Sequence, residues 1–93
     1  MSIRQSWEFK EWRKKVFEID KYTCQNKQCN QNGRIHPHHI YNFADYESLR
    51  FEVDNGITLC RDCHMEFHKI YGTRHNNYFQ ILDFLKNRKV VNA

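Results

Sequence analysis

The sequence predicts an α+β domain of 93 residues in which a short two-stranded sheet is combined with helices. Three observations support this prediction. Apolar residues recur at helical spacing near both ends of the chain, two short strand candidates lie between those ends, and four cysteines stand in two close pairs. A chain of this length has room for one hydrophobic core, so we expect a single domain over residues 1–93.

The N-terminal helix is predicted over about residues 6–20. Ser6 can cap its first turn because a serine oxygen accepts hydrogen bonds from the first free amides of a helix. Apolar side chains then recur at spacings of three and four residues, at Phe9, Trp12, Val16 and Ile19. This spacing predicts one apolar stripe that faces the core.

Two strands are predicted in the middle of the chain. Residues 34–40 form the first, although Pro37 must lie at an edge or a bulge because it has no amide hydrogen. Residues 57–59 form the second, directly after the turn signal Asn55-Gly56. The connection over residues 41–55 is long for a compact domain, which is uncommon unless the segment is functional.

Two more helices complete the predicted fold. One runs from about residue 61 to residue 71 and stops at Gly72, so that the predicted core of the domain covers about residues 24–72. The other covers about residues 76–88, where we expect an apolar stripe formed by Tyr78, Ile81, Leu82 and Leu85.

The four cysteines predict a structural zinc site. They form the pairs Cys24 with Cys29 and Cys60 with Cys63. We expect a cytoplasmic protein without membrane association, because there is no apolar signal segment and no stretch near the roughly 20 apolar residues that span a bilayer. In a reducing compartment, paired cysteines are more often metal ligands than disulfides. Four thiolates are typical of structural zinc. Free or disulfide-bonded thiols remain the alternative.

The charge of the chain favours a polyanionic partner. Lysine and arginine exceed aspartate and glutamate by 15 to 11, which gives a net charge of +4. Residues 41–56 hold four acidic residues and one arginine, so the rest of the chain is more basic than the average. Solvated helix faces are the plain alternative for any single basic cluster.

The histidines are a second group of candidate ligands. His64 and His68 lie four residues apart on a predicted helix, so they share one face and can chelate one ion. A polar helix face is the alternative for such a pair. His38 and His39 end the first predicted strand, where strict alternation would direct them to opposite faces. Both reach one site only at a strand end or a bulge.

Together, His38-His39, Asn55 and His64 resemble the His-Asn-His (HNH) endonuclease motif, which is carried by the ββα-metal fold. The flanking residues match as well, in His-His-Ile40, Asn-Gly-Ile-Thr-Leu-Cys60 and Cys63-His64-x-x-Phe67-His68-x-x-Tyr71-Gly72. The cysteine pairs are similar to those of the zinc-stapled branch of the family. The resemblance covers residues 12–72 approximately and implies a small ββα-metal core between N-terminal and C-terminal helices. Its similarity to small phage and homing-type members implies a phage-encoded protein in a bacterial host.

The resemblance implies a role for each matched residue. His39 is the general base that takes a proton from the attacking water, and Asn55 holds the connecting loop and so orients that base. His38 and His64 are ligands of a catalytic divalent cation, with His68 as a further ligand. Imidazole suits Mn²⁺, Ni²⁺, Co²⁺ or Zn²⁺ better than Mg²⁺, which members of the family also use.

The predicted function is therefore hydrolysis of phosphodiester bonds in double-stranded DNA by a metal-dependent endonuclease or nickase, acting as a monomer or a homodimer. The resemblance implies products with 5′-phosphate and 3′-hydroxyl groups. We expect mainly backbone contacts, with Arg61, Lys69 and Arg74 as candidates, although a plain surface charge is about as plausible for each. One alternative is a noncatalytic zinc-ribbon module that binds nucleic acid. Another is a phage structural protein or an adaptor that has lost activity.

Overall fold

The computed structural model describes residues 6–27, 29 and 34–87. Among these residues it contains three α-helices and a two-stranded sheet, which confirms the α+β class. In chain order the elements are α1 (Trp7–Ile19), β1 (Ile35–His39), β2 (Gly56–Cys60), α2 (Arg61–Tyr71) and α3 (Tyr78–Asn87). The other residues of the predicted domain, 1–5, 28, 30–33 and 88–93, lie outside the described part, and so does the predicted end of the last helix at residue 88.

Helix α1 begins as predicted but buries a different set of side chains. The Ser6 hydroxyl oxygen accepts a hydrogen bond from the Phe9 amide at 3.1 Å. Trp12, Val16 and Phe17 are buried, whereas Ile19 is 65% exposed, so the predicted stripe is wrong at its end. The reason is that Asp20, one turn beyond Val16, continues the inward face, where its carboxylate accepts the Thr58 amide hydrogen at 2.8 Å.

Strands β1 and β2 pair antiparallel without a bulge. The paired positions are Ile35 with Cys60, His36 with Leu59, Pro37 with Thr58, His38 with Ile57 and His39 with Gly56. Pro37 fits because the backbone groups of Thr58 point away from β1, to Asp20 and to the amide of Gln25. Pro37 and Thr58 are therefore a pair without hydrogen bonds between the strands, and the missing amide hydrogen of Pro37 removes no bond from the sheet.

Gly56 allows α1 to lie directly against β2. A Cβ atom at this position would lie 2.4 Å from Val16 Cγ2 and 2.9 Å from Trp12 Cζ2. No side chain fits in that space without moving the helix. This close approach brings Trp12 next to the end of β1, where His39 lies.

Helix α3 packs on the core, and the face that it buries is narrower than predicted. Ile81 and Phe84 are buried together with Leu59 and Phe67, and the rings of Phe67 and Phe84 lie 5.6 Å apart. Tyr78 and Leu82 are 44% and 39% exposed, so the stripe predicted through them is wrong. Phe84 is buried instead, because its ring packs edge-on against the ring of Phe67 in α2. None of the described helices is both long enough and apolar enough to cross a bilayer.

Candidate functional site

The structure brings the four cysteines together. Cys24 and Cys29 follow α1, Cys60 ends β2, and Cys63 lies in the first turn of α2; all four Sγ atoms lie within 4.8 Å of one another. The thiols are not disulfide-bonded, and the Sγ atoms of Cys29 and Cys60 are 3.5 Å apart. Sulfur atoms bound tetrahedrally to one zinc ion at 2.3 Å would be roughly 3.8 Å apart. The cluster therefore fits a closed metal site that ties the segment after α1 to β2 and α2.

The surroundings of the thiols act in opposite directions on the thiolate form that binds a metal. Burial raises the pKa of Cys24 and that of Cys63. Burial also raises the pKa of Cys60, but hydrogen bonds from the Cys63 amide and the neighbouring thiols lower it to a value below the usual range. The Asn26 side-chain amide donates to Cys63 Sγ at 3.4 Å. Hydrogen bonds of this kind stabilise thiolates that are bound to a metal.

A second cluster is formed by His38, His64 and His68, whose ligand nitrogens also lie within 4.8 Å of one another. His38 comes from β1, and the other two lie one turn apart on α2. The Nε2 atoms of His64 and His68 are 3.1 Å apart. Two nitrogens that bind the same ion at about 2.1 Å are separated by roughly 3.0–3.4 Å, so this pair is already spaced for chelation.

His38 is the most distinctive member of this cluster. Only 2% of its surface is exposed, and its buried Nε2 has no hydrogen-bond partner among the described residues. Burial, and then the charges of His64, His68 and His39, lower the pKa of His38 to about 2. The ring is therefore neutral at physiological pH. An unpaired buried nitrogen is costly unless an ion or a water molecule completes it, and an imidazole lone pair is a good ligand for divalent transition metals.

Hydrogen bonds at the opposite ring nitrogens orient the ligands. His68 Nδ1 lies 2.9 Å from the Gly72 carbonyl oxygen, which can only accept, so Nδ1 carries the hydrogen and the neutral ring presents its lone pair at Nε2. His64 Nδ1 lies 3.0 Å from His36 Nδ1. With His64 Nε2 on an ion, His64 donates to His36, which was not among the predicted site residues. The i, i+2 spacing of His36 and His38 on one strand face is a signal that could have indicated it.

His39 lies on the opposite face of β1 from His38, as strand alternation requires. Its ring stacks on Trp12, with centroids 3.9 Å apart and planes inclined by 13°. Its Nε2 lies 2.9 Å from the Arg50 carbonyl oxygen. Because a carbonyl only accepts, Nε2 is the protonated nitrogen and Nδ1 carries the lone pair in the neutral ring. That tautomer is suited to accept a proton at Nδ1.

Asn55 connects both ends of the long segment over residues 41–55. Its buried side chain accepts the Tyr41 amide hydrogen at 2.8 Å and donates to the carbonyl oxygens of Tyr41 at 3.0 Å and Leu49 at 3.2 Å. Leu49 precedes Arg50, whose carbonyl holds His39. One side chain thus restrains the backbone that holds the His39 ring.

A cleft of about 660 Å³ is lined by the histidines of the open cluster together with His36 and His39. All four residues His36–His39 line it, whereas no residue of β2 does, so the cleft runs along the outer edge of β1. Side chains from both faces of a strand are accessible at its edge. His38 and His39 therefore both line the cleft, although they lie on opposite faces and β1 has no bulge. Arg13 of α1 also lines the cleft, although we did not predict it as a site residue. The predicted phosphate contacts, Arg61, Lys69 and Arg74, are exposed and do not line it.

The fold and the two clusters define a small α+β protein with one closed and one open candidate metal site. Comparison with known proteins identifies no family: no family model matches, and no solved structure matches. The chain is similar to Anaredoxin of Nostoc sp. (strain PCC 7120), with 27% identity over 70 residues that cover 74% of this chain and 87% of that protein.

Proposed function

We propose that the protein is a metal-dependent DNA endonuclease or nickase of the HNH type, with the four cysteines holding a structural zinc ion. The observation that carries the proposal is the buried Nε2 of the neutral His38 ring, which has no hydrogen-bond partner within the described part of the chain and lies beside His64 and His68 in a cleft that also contains His39. The resemblance to the HNH motif connects this geometry with the hydrolysis of DNA.

The histidine cluster fits a catalytic ion better than a structural one. Three nitrogen ligands leave coordination positions open for phosphate and water, which closed structural sites do not. Imidazole nitrogens suit Mn²⁺, Ni²⁺, Co²⁺ or Zn²⁺, and Mg²⁺ can serve where DNA adds oxygen ligands. The bound ion would supply positive charge for the phosphate and the leaving oxygen in the transition state.

His39 supplies the base. Its Nδ1 takes a proton from a water molecule, whose oxygen forms a bond to phosphorus while the bond between phosphorus and the 3′ oxygen breaks. The leaving oxygen takes a proton from solvent, which gives a 5′-phosphate and a 3′-hydroxyl. Imidazole suits this role near neutral pH because its ordinary pKa lies close by. The Trp12 ring and the Arg50 carbonyl hold the base in position.

Two other candidate functions follow from specific observations. A noncatalytic zinc module that binds nucleic acid would use the cysteine cluster and the positive charge, but it has no need for the open histidine cluster. A redox role would place iron on the four thiolates, since tetrahedral sulfur ligands bind zinc or iron. The similarity to Anaredoxin favours testing that role. The reducing interior of a cell, which we propose as the location, suits all three functions.

A plasmid assay separates these functions. The purified zinc-loaded chain is incubated with supercoiled plasmid and Mn²⁺ or Mg²⁺, and with EDTA in a parallel reaction. We expect open circles, or linear DNA if two copies cut together, and no product with EDTA. His39→Ala should reduce the rate by about 10²- to 10⁴-fold, the usual contribution of a general base. His75→Ala, at an exposed histidine outside the cleft, is the matched control.

Equal cleavage by wild type and His39→Ala would disprove the catalytic assignment. DNA binding without cleavage under every metal condition would favour the noncatalytic module. Metal analysis and visible absorption of the protein as purified distinguish the redox role, because iron bound to thiolates absorbs visible light and zinc does not. Iron in the cysteine cluster, together with no cleavage, would replace the nuclease proposal.

A further inference from the structure

Arg34 and Arg61 lie opposite each other at the end of the sheet that is nearer to His36. The last pair of the β ladder joins Ile35 to Cys60. One residue further, the Arg61 amide donates to the Arg34 carbonyl oxygen at 2.9 Å, so these residues stand opposite each other. Alternation places Arg34 on the face of β1 that carries His36 and His38. Arg61 was a predicted phosphate contact and Arg34 was not, because the pairing that places Arg34 opposite Arg61 spans the whole connection between the strands.

A third arginine reaches the same end of the cleft from α1. Arg13 lines the cleft together with His36. Its guanidinium lies over the buried ring of Phe17, 4.8 Å from the centroid. Stacking on an aromatic ring restricts the guanidinium while its N–H donors remain available. Arg13 is therefore a partly ordered cation at the wall of the cleft.

Few negative charges oppose this group. Within residues 6–27, 29 and 34–87, no carboxylate lies within ion-pair distance of Arg13 or Arg34. Arg61 lies 3.8 Å from Asp62, but both side chains are more than half exposed, so this pair is weak and screened by salt. Arg13 and His36 line one cleft, and Arg34 and Arg61 stand at the end of the sheet next to His36.

We propose that Arg13, Arg34 and Arg61 form a subsite for one backbone phosphate of the bound strand, next to the phosphate that is cut. This inference rests on the proposed function, and it adds which residues bind the strand and at which end of β1. Of the predicted phosphate contacts the subsite keeps Arg61, which stands opposite Arg34 at this end of the sheet, and it does not use Lys69 or Arg74. Guanidinium groups suit this role because they bind phosphate through two parallel hydrogen bonds.

Binding and cleavage are measured separately to test the subsite. Binding of a short fluorescein-labelled duplex to the zinc-loaded chain is followed by anisotropy over a range of salt concentrations, without an added divalent ion. Arg13→Ala, Arg34→Ala and Arg61→Ala should each weaken binding by about tenfold, the value of a hydrogen bond to a charged group. Loss of one phosphate contact should reduce the slope of log K against log salt by about 0.9. Lys14→Ala and Lys15→Ala, at exposed cations of α1 that were not predicted to contact DNA, are the controls.

The result distinguishes this inference from the proposed function. If the three arginine variants bind DNA with the affinity and salt slope of the Lys14→Ala and Lys15→Ala controls while the wild type cuts plasmid, the subsite is wrong and the nuclease stands. If binding depends on the three arginines but the wild type never cuts, the subsite stands and the nuclease is wrong. Unchanged unfolding midpoints in the variants would show that lost binding is not lost folding, since all three side chains are exposed.

Discussion

Trp12 and His39 lie face to face, with ring centroids 3.9 Å apart, and this stack joins the buried core to the edge of the cleft. Trp12 is 1% exposed, and its indole N–H donates to the Glu52 carbonyl oxygen at 2.9 Å. Glu52 and Arg50 belong to the same connection, so the residues that hold the Trp12 ring and the His39 ring are two apart in sequence. The orientation of the proposed base therefore depends on a helix that lies outside the ββα core.

Trp12→Phe tests whether this stack positions the base. Phenylalanine keeps an aromatic ring at the buried position but leaves the Glu52 carbonyl without its donor, so we expect a loss of about 1–3 kcal/mol in the free energy of unfolding. Cleavage should slow by up to about a hundredfold, because a small displacement of a catalytic group is costly. Denaturant unfolding and plasmid cleavage measure the two effects. Trp7→Phe, at a tryptophan that is 73% exposed, is the control. A stability loss with unchanged cleavage would show that the ring is structural only.

Asn55→Ala should loosen the connection over residues 41–55. The substitution leaves the Tyr41 amide and the carbonyl oxygens of Tyr41 and Leu49 without partners, and we expect a loss of about 2–4 kcal/mol in stability. Asn55→Asp is the matched comparison, because a carboxylate can still accept the Tyr41 amide hydrogen but cannot donate. We expect both variants to slow cleavage, and Asp to retain more stability than Ala in thermal unfolding. Wild-type stability in the alanine variant would contradict this account of the loop.

The local parts of this fold could be predicted from the sequence, whereas the contacts between them could not. Ser6 and the apolar spacing indicated α1, and the cysteine pairs indicated the closed cluster. Phe17 was missed in favour of Ile19, because the inward face of α1 is decided by Asp20 and its bond to the backbone of Thr58. Arg13 was missed as a site residue for a similar reason, because its position depends on how closely α1 approaches Gly56. The strand spacing places His36 on the face of His38, but its contact with His64 depends on how β1 packs on α2.

The buried state of His38 predicts a pH dependence of stability. Its pKa is about 2 in the folded protein and near 6.5 in the unfolded chain, so below pH 6.5 the unfolded state binds more protons. The contribution of His38 to stability is complete above pH 6.5 and is lost at up to about 1.4 kcal/mol per pH unit as the pH falls toward 2. The difference in unfolding free energy between wild type and His38→Gln should therefore change between pH 7 and pH 5 by about 2 kcal/mol. His75→Gln serves as the exposed control, and a constant difference for His38→Gln would show that this ring is not desolvated.

Metal stoichiometry should separate the two clusters. Native mass spectrometry of the zinc-loaded chain should show one tightly held ion, with a second ion appearing only when Mn²⁺, Ni²⁺ or Zn²⁺ is added. Cys63→Ser should lose the tight ion and the cooperative thermal transition, because four thiolates tie the segment after α1 to β2 and α2, and structural zinc sites contribute folding energy directly. His64→Ala should keep the tight ion and the transition but lose the second ion and cleavage, since the open cluster lies at the edge of the core. Loss of both ions in His64→Ala, or a normal transition in Cys63→Ser, would mean that the histidines and cysteines do not form separate structural and catalytic sites.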